Sequence, residues 1–199
     1  EFVTAVVLGY EIYLRVCDAF CNKAFDPSMF GCLATAAAGG RLLGLSSEQL
    51  AHAISMAVVP NNILAQVRQS HVTMWKAVAA GKAGQAGIFA AMLAQAGMEG
   101  PHLPFEGKAG WCEHIARERI SLSTMGGNGT PYLILNTRIK PRPARALTIA
   151  SILAAEKLAP ALGTPQNAKR VTVEAHRQAK HGTGEHHWHP DTRETADPS

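Results

Sequence analysis

Residues 75–97 read WKAVAAGKAGQAGIFAAMLAQAG, and this stretch decides the fold of the chain. Its alanines and glycines fall mostly three or four positions apart, so they share a face of a helix. Each glycine inside a helix costs about 1 kcal/mol relative to alanine, so several of them need a packing reason. We predict a helix from about Val72 to Ala96, closed by Gly97, whose small residues let neighbouring helices approach closely.

Three further helices are predicted before this one. Residues 28–44, SMFGCLATAAAGGRLLG, have the same small-residue character, and the final glycine is a typical C-terminal stop. Ser46 and Gln49 have the spacing of a capping box, so the next helix should begin there and end before Pro60. Residues 1–22 are apolar with scattered charges and predict a buried helix.

The composition excludes several classes of protein. With 47% hydrophobic and 17% charged residues in 199, the chain is expected to be globular. The formal charge of +4 is modest and the basic residues are not clustered, so no nucleic-acid binding is expected. Lysine, arginine and glutamine interrupt each apolar run, so no membrane span is expected either.

The cysteines and histidines of the sequence do not predict a metal site. Cys17 and Cys21 have a spacing seen in metal sites, but no second cysteine or histidine pair lies nearby at zinc-like spacing and the four cysteines form no disulfide framework. We therefore expect reduced thiols in a cytosolic protein and no structural metal. Histidines crowd the C-terminal tail in a polar stretch without a defined ligand geometry, and a solvated loop is the preferred interpretation. These histidines are His176, His181, His186, His187 and His189.

The amino-acid composition changes in the second half of the chain. Residues 101–131 are rich in glycine, proline and polar residues and predict loops with one short helix. The stretch YLILNTRI at Tyr132–Ile139 predicts a strand, and the prolines of KPRP at 140–143 predict a domain boundary.

A helix at Ala146–Leu158 and a strand at Arg170–His176 are predicted after that boundary. The fold class is therefore predicted to be mainly α, with a helical domain at 1–139 followed by the beginning of a smaller α+β domain at 140–199. The last twenty residues are polar and predict a tail without a core of its own.

Several segments resemble the MmgE/PrpD family, of the 2-methylcitrate dehydratase type. Residues 34–49, ATAAAGGRLLGLSSEQ, resemble a helix and cap of that family, with Thr35 as a departure. Residues 66–76 resemble its QTR…SMWK motif, and LAQAGMEGPHLPFEG at 93–107 resembles its FEG segment. IKPRP and PDTRETAD, later in the chain, are weaker matches. Members of the family are considerably longer, so we expect an internal or truncated portion.

The resemblance implies a helical domain, a partial lid domain at 140–199 and a hydro-lyase that dehydrates a small tricarboxylate such as 2-methylcitrate. It also implies a cytoplasmic homodimer with no metal or organic cofactor. One alternative is decarboxylation of cis-aconitate or epimerisation of a related polycarboxylate or dicarboxylate. The other is a catalytically inactive, truncated member that only folds and dimerises, because histidines of the family pattern are absent here.

Two residues are predicted to be catalytic. Lys76 matches the lysine of SMWK, which in the family projects into the active-site cleft, and its apolar neighbours favour pairing of the ammonium with an anion. The alternative is a lysine that extends to the surface from a half-buried helix. Asp26, in AFDPS, matches the family's FDH segment near the proton-transfer centre, with Pro27 in place of the histidine. Its alternative role is a helix N-cap.

Three residues are predicted to bind substrate. Arg68 and Gln66 match the arginine and glutamine of the QTR motif, and a guanidinium is well shaped to grip a carboxylate. A surface arginine after a helix end is the alternative for Arg68. Arg145, just after KPRP, is a candidate to bind an anion, in a stretch where the family usually has a histidine or an acidic residue.

Overall fold

The computed structural model describes residues 1–68 and 73–175. The described chain divides into two compact units. The first unit holds residues 1–68 and 74–137, and the second holds residue 73 and residues 138–175. The predicted tail histidines and the strand residue His176 lie outside the described residues.

The first unit is a bundle of four α-helices, and the second contains one. Helix α4 packs against α2 and α3, and α2 also packs against α1. The mainly α fold class is therefore confirmed. The helices are α1 Phe2–Ala19, α2 Gly31–Leu42, α3 Ser47–Val58, α4 Trp75–Gln95 and α5 Ala146–Leu162.

The helix ends follow the local sequence signals. Gly44 has a φ of 73°, and the N–H of Leu45 bonds the carbonyl of Gly40 at 3.0 Å, which terminates α2. Ser46 and Gln49 form the predicted capping box, so α3 begins at once on the far side of the turn. Gly97 closes α4 in the same way, with a φ of 90°.

The contact between α2 and α4 explains the small residues. A Cβ atom at Gly87 would lie 2.7 Å from the backbone nitrogen of Ala36 and closer still to the Thr35 hydroxyl. Thr35 donates a hydrogen bond to the carbonyl of Gly84 at 3.1 Å, across the two helices. The threonine that departs from the alanine run therefore joins α2 to α4 at the point where their backbones meet.

An aromatic cluster fills the core beside these helices. The rings of Phe20 and Phe30 are 5.0 Å apart, and that of Trp111 lies 5.3 Å from Phe20. Phe30 and Trp111 are buried, and the indole N–H of Trp111 bonds the side chain of Asn62 at 2.9 Å. The predicted loop region thus contributes a residue to the core, just before a short π-helix at Cys112–Ala116.

The two predicted strands are wrong. Leu133–Asn136 forms a 3-10 helix, and the N–H of Leu133 bonds the side chain of Glu11 where a strand would need a neighbouring strand. Residues 170–175 form neither helix nor strand. The described part of the second unit contains α5 and a 3-10 helix at Pro165–Asn167, with no strand.

Helix α4 is long and apolar enough to cross a membrane, by length and composition alone. The indication is weak, because a core helix of a soluble protein has the same composition. Its small residues are used in contacts with α2, and 33% of its apolar window is buried within the protein. The absence of a membrane span stays a prediction.

The α2–α4 contact predicts a difference between two glycines of the same helix. Gly87→Ala should lower the free energy of unfolding by about 1–3 kcal/mol, because the added methyl group collides with backbone atoms of α2. Gly81→Ala is the matched control. Gly81 is exposed and its Cβ position is open, so alanine should stabilise the helix by up to about 1 kcal/mol. Urea denaturation of both variants measures the difference. Equal effects would contradict the close backbone contact.

Candidate functional site

Two loops of the first unit meet at the base of the candidate site. Phe25 and Leu64 form an isolated antiparallel bridge. The N–H of Asp26 bonds the carbonyl of Ile63 at 2.8 Å, and a second bond of 2.9 Å joins Ala65 to the carbonyl of Ala24. Each loop continues directly into a 3-10 helix, Pro27–Phe30 and Ala65–Arg68. The bridge therefore places two residues that are distant in sequence side by side.

Those two residues are Asp26 and Arg68, which form an ion pair. Arg68 donates from Nε to Oδ2 of Asp26, and from Nη2 to Oδ1 at 3.3 Å. The side chain of Asp26 is only 3% exposed, whereas that of Arg68 is 43% exposed. The carboxylate is thus inside the protein and the guanidinium reaches from it toward the surface.

Asp26 also caps the 3-10 helix that follows it. Its Oδ1 accepts a hydrogen bond of 2.9 Å from the N–H of Ser28, so the alternative role as an N-cap is confirmed. Burial alone would raise the pKa of Asp26. The hydrogen bonds from Arg68 and Ser28, with the charge of Arg68, outweigh that effect and hold the pKa below its ordinary value. Asp26 is therefore ionised at neutral pH and a weak proton acceptor.

Three polar groups near this pair were not predicted. Ser28 is buried, and its hydroxyl makes no hydrogen bond to another described group, although it lies close enough to the Asp26 carboxylate to lower the pKa of Asp26.

The other two groups, Tyr13 and Cys17, lie one turn apart on α1. Burial, the neighbouring thiol and the charge of Asp26 raise the pKa of Tyr13. Burial raises the pKa of Cys17 to about 11. Their spacing is equally typical of a plain helix core, so the sequence carried no signal for them.

The other predicted site residues occupy different places. Lys76 is half-buried in the first turn of α4, a helix that packs against both 3-10 helices of the site. Gln66 lies on the second 3-10 helix and is exposed. Arg145 belongs to the second unit, where it precedes α5 and its carbonyl accepts hydrogen bonds from Thr148.

An open apolar groove lies elsewhere on the first unit, beside α3 and α4. Its volume is about 1000 Å³, and Met56, Phe89 and Met92 are among its lining residues. None of the predicted site residues lines it. Within residues 1–68 and 73–175, no group of three histidine, cysteine or carboxylate side chains is arranged to hold a metal ion. The candidate site is therefore the Asp26–Arg68 pair and the adjoining end of α4.

Comparison with known families agrees with the sequence motifs. Residues 1–122 match the family model of the MmgE/PrpD N-terminal domain. The match covers more than half of the 199 residues and includes Asp26, Arg68 and Lys76. It also covers all four helices of the first unit. The chain belongs to the MmgE/PrpD family.

Proposed function

We propose that this chain is part of a hydro-lyase that dehydrates a small tricarboxylate of the 2-methylcitrate type. The observation that carries the proposal is the Arg68 guanidinium, which a buried carboxylate holds in place within a domain of a dehydratase family. A fixed cation of this kind suits a substrate with several carboxylates. By the same resemblance we propose a cytoplasmic homodimer that uses no metal or organic cofactor.

Dehydration needs a base for a proton on carbon, an acid for the leaving hydroxyl, and fixed cations for the carboxylates. Asp26 is poorly suited to be the base, because its pKa is lowered and Arg68 already occupies both of its oxygens. We therefore assign Asp26 the role of a positioning residue. It orients Arg68, whose Nη1 lies outside the pair and can contact a substrate carboxylate.

Lys76 supplies a second cation. It lies half-buried in the first turn of α4, and the positive end of the helix dipole there favours an anion. Both features support a contact between Lys76 and a substrate carboxylate. Gln66, exposed next to Arg68, is a candidate for a further hydrogen bond.

A lysine exchange tests the substrate contact. Lys76→Met should lower kcat/KM by about 100-fold or more, because one charge-stabilising donor is lost. Lys82→Met is the matched control on the same helix. Lys82 is exposed and bonds Gln85 at 3.1 Å, so its variant should retain the activity of the parent chain.

The assay also separates the alternative functions. The purified chain is incubated with 2-methylcitrate and with cis-aconitate, while alkene absorbance and released CO₂ are followed. Release of CO₂ from cis-aconitate would favour the decarboxylase. No turnover of either compound by a folded protein would contradict the hydro-lyase and leave the inactive family member.

The charge of Asp26 should make the stability of the protein depend on pH. The pKa of Asp26 is lower in the folded protein than its ordinary value of 3.8, so its stabilising effect is present above that value and is lost as pH falls through the lowered pKa. Asp26→Asn keeps the N-cap but loses the charge, and should cost about 1–2 kcal/mol at neutral pH, since Arg68 is partly solvated.

Denaturant titrations at several pH values measure this difference. The parent and Asp26→Asn should converge in stability as the pH falls below 3.8. Asp18→Asn, at an exposed position of α1, is the control and should change stability by less than about 0.5 kcal/mol. A difference between parent and Asp26→Asn that stays constant with pH would show that the charge of Asp26 is not what stabilises the pair.

A further inference from the structure

A second ion pair lies on α1, and both of its side chains are buried. The carboxylate of Glu11 accepts hydrogen bonds from Nε and Nη2 of Arg15, at 2.9 and 2.7 Å. The two side chains are 3% and 8% exposed. Because a buried ion pair contributes little net stability by itself, its presence calls for a further reason.

The remaining hydrogen bonds of the pair all reach one distant stretch of the chain. Oε1 of Glu11 accepts from the N–H of Gly126 at 2.7 Å, and Oε2 accepts from the N–H of Leu133 at 2.8 Å. Nη1 of Arg15 donates to the hydroxyl of Ser123 at 2.8 Å. We call Glu11 and Arg15 the clasp, and residues 123–137 the strap.

Apolar burial contributes little to holding the strap. Its residues are all exposed or half-buried, and Met125 and Leu135 are 43% and 75% exposed. Three residues in its turn have positive φ, a conformation that glycine and asparagine adopt readily and that adds no contact to the helices. These are Gly127, Asn128 and Gly129. Charge-assisted hydrogen bonds to a buried carboxylate are the strongest contacts that the strap makes.

The clasp is charged at neutral pH. Burial alone would raise the pKa of Glu11. The backbone N–H groups of Leu133 and Gly126, and then the hydrogen bond and charge of Arg15, outweigh burial and lower it. The carboxylate therefore keeps all four of its hydrogen bonds, and no other described side chain donates to it.

We propose that the clasp is a conformational device that holds the strap closed, and that the strap opens locally when the clasp is lost, without unfolding of the helices. The strap ends at Thr137, the last residue of the first unit, so it is the segment of that unit that directly precedes residue 138 of the second. It does not depend on the proposed hydro-lyase activity, because none of the hydrogen bonds that carry it involves Asp26 or Arg68.

Hydrogen exchange of single amides tests the device. The double variant Glu11→Leu with Arg15→Met removes both charges and fills their space with apolar groups, so that no buried charge is left unpaired. Exchange at Gly126 and Leu133 should become about tenfold faster or more, while exchange at Ala36 in the core of α2 stays unchanged. Asp18→Asn, at an exposed position of α1, is the control and should not accelerate either amide.

The variant Glu11→Gln provides a second measurement if the double variant does not fold. The glutamine side chain keeps one acceptor oxygen, so only one of the two backbone N–H groups, of Gly126 or Leu133, retains its hydrogen bond. Hydrogen exchange should therefore accelerate more at one of these two residues than at the other. Unchanged exchange at both amides in either variant would overturn the proposal. Equal acceleration at Ala36 would also overturn it, because the strap would then open only with the whole unit.

Discussion

The close approach of α2 and α4 is the constraint on which the rest of the first unit depends. At Gly87 the two backbones leave no room for a side chain, and Thr35 bonds the carbonyl of Gly84 across the contact. This contact fixes the axis of α4, and hence the end of that helix that carries Lys76. The 3-10 helix that carries Asp26 leads directly into α2, so the same contact also fixes its position.

Two carboxylates are buried in this unit, and each is paired with an arginine. Glu11 and Arg15 are both inside the protein, and their further hydrogen bonds go to the strap, from two backbone N–H groups to Glu11 and from Arg15 to the Ser123 hydroxyl. Asp26 is equally buried, but Arg68 is nearly half exposed. The same kind of pair is therefore fully enclosed in one place and has a partly exposed cation in the other. Exposure of the arginine makes the difference.

The sequence predicted Asp26 and Arg68 as separate site residues and did not predict that they form an ion pair. The motif resemblance identified Asp26 and Arg68, and the Asp-Pro-Ser pattern correctly offered an N-cap for Asp26. The ion pair joins residues 42 positions apart through a two-bond bridge between loops, and no local pattern encodes such a bridge. Ser28 was missed because the feature that marks it is a buried hydroxyl without a hydrogen bond to another described group. The residue type alone does not indicate that burial.

The sequence by itself determined the family, the helices of the first unit and the helix ends at Gly44, Ser46 and Gly97, because glycine stops, capping boxes and small-residue spacing act within a few residues. Only the tertiary structure decided the state of Leu133–Asn136, whose β-branched and apolar residues predicted a strand. The carboxylate of Glu11, far away in sequence, binds the backbone there, and a strand needs a partner that this segment does not have. Tertiary structure likewise decided that the carboxylate of Asp26 pairs with Arg68. Within this pair, the hydrogen bonds and charge of Arg68 lower the pKa of Asp26 despite its burial, so Asp26 is ionised.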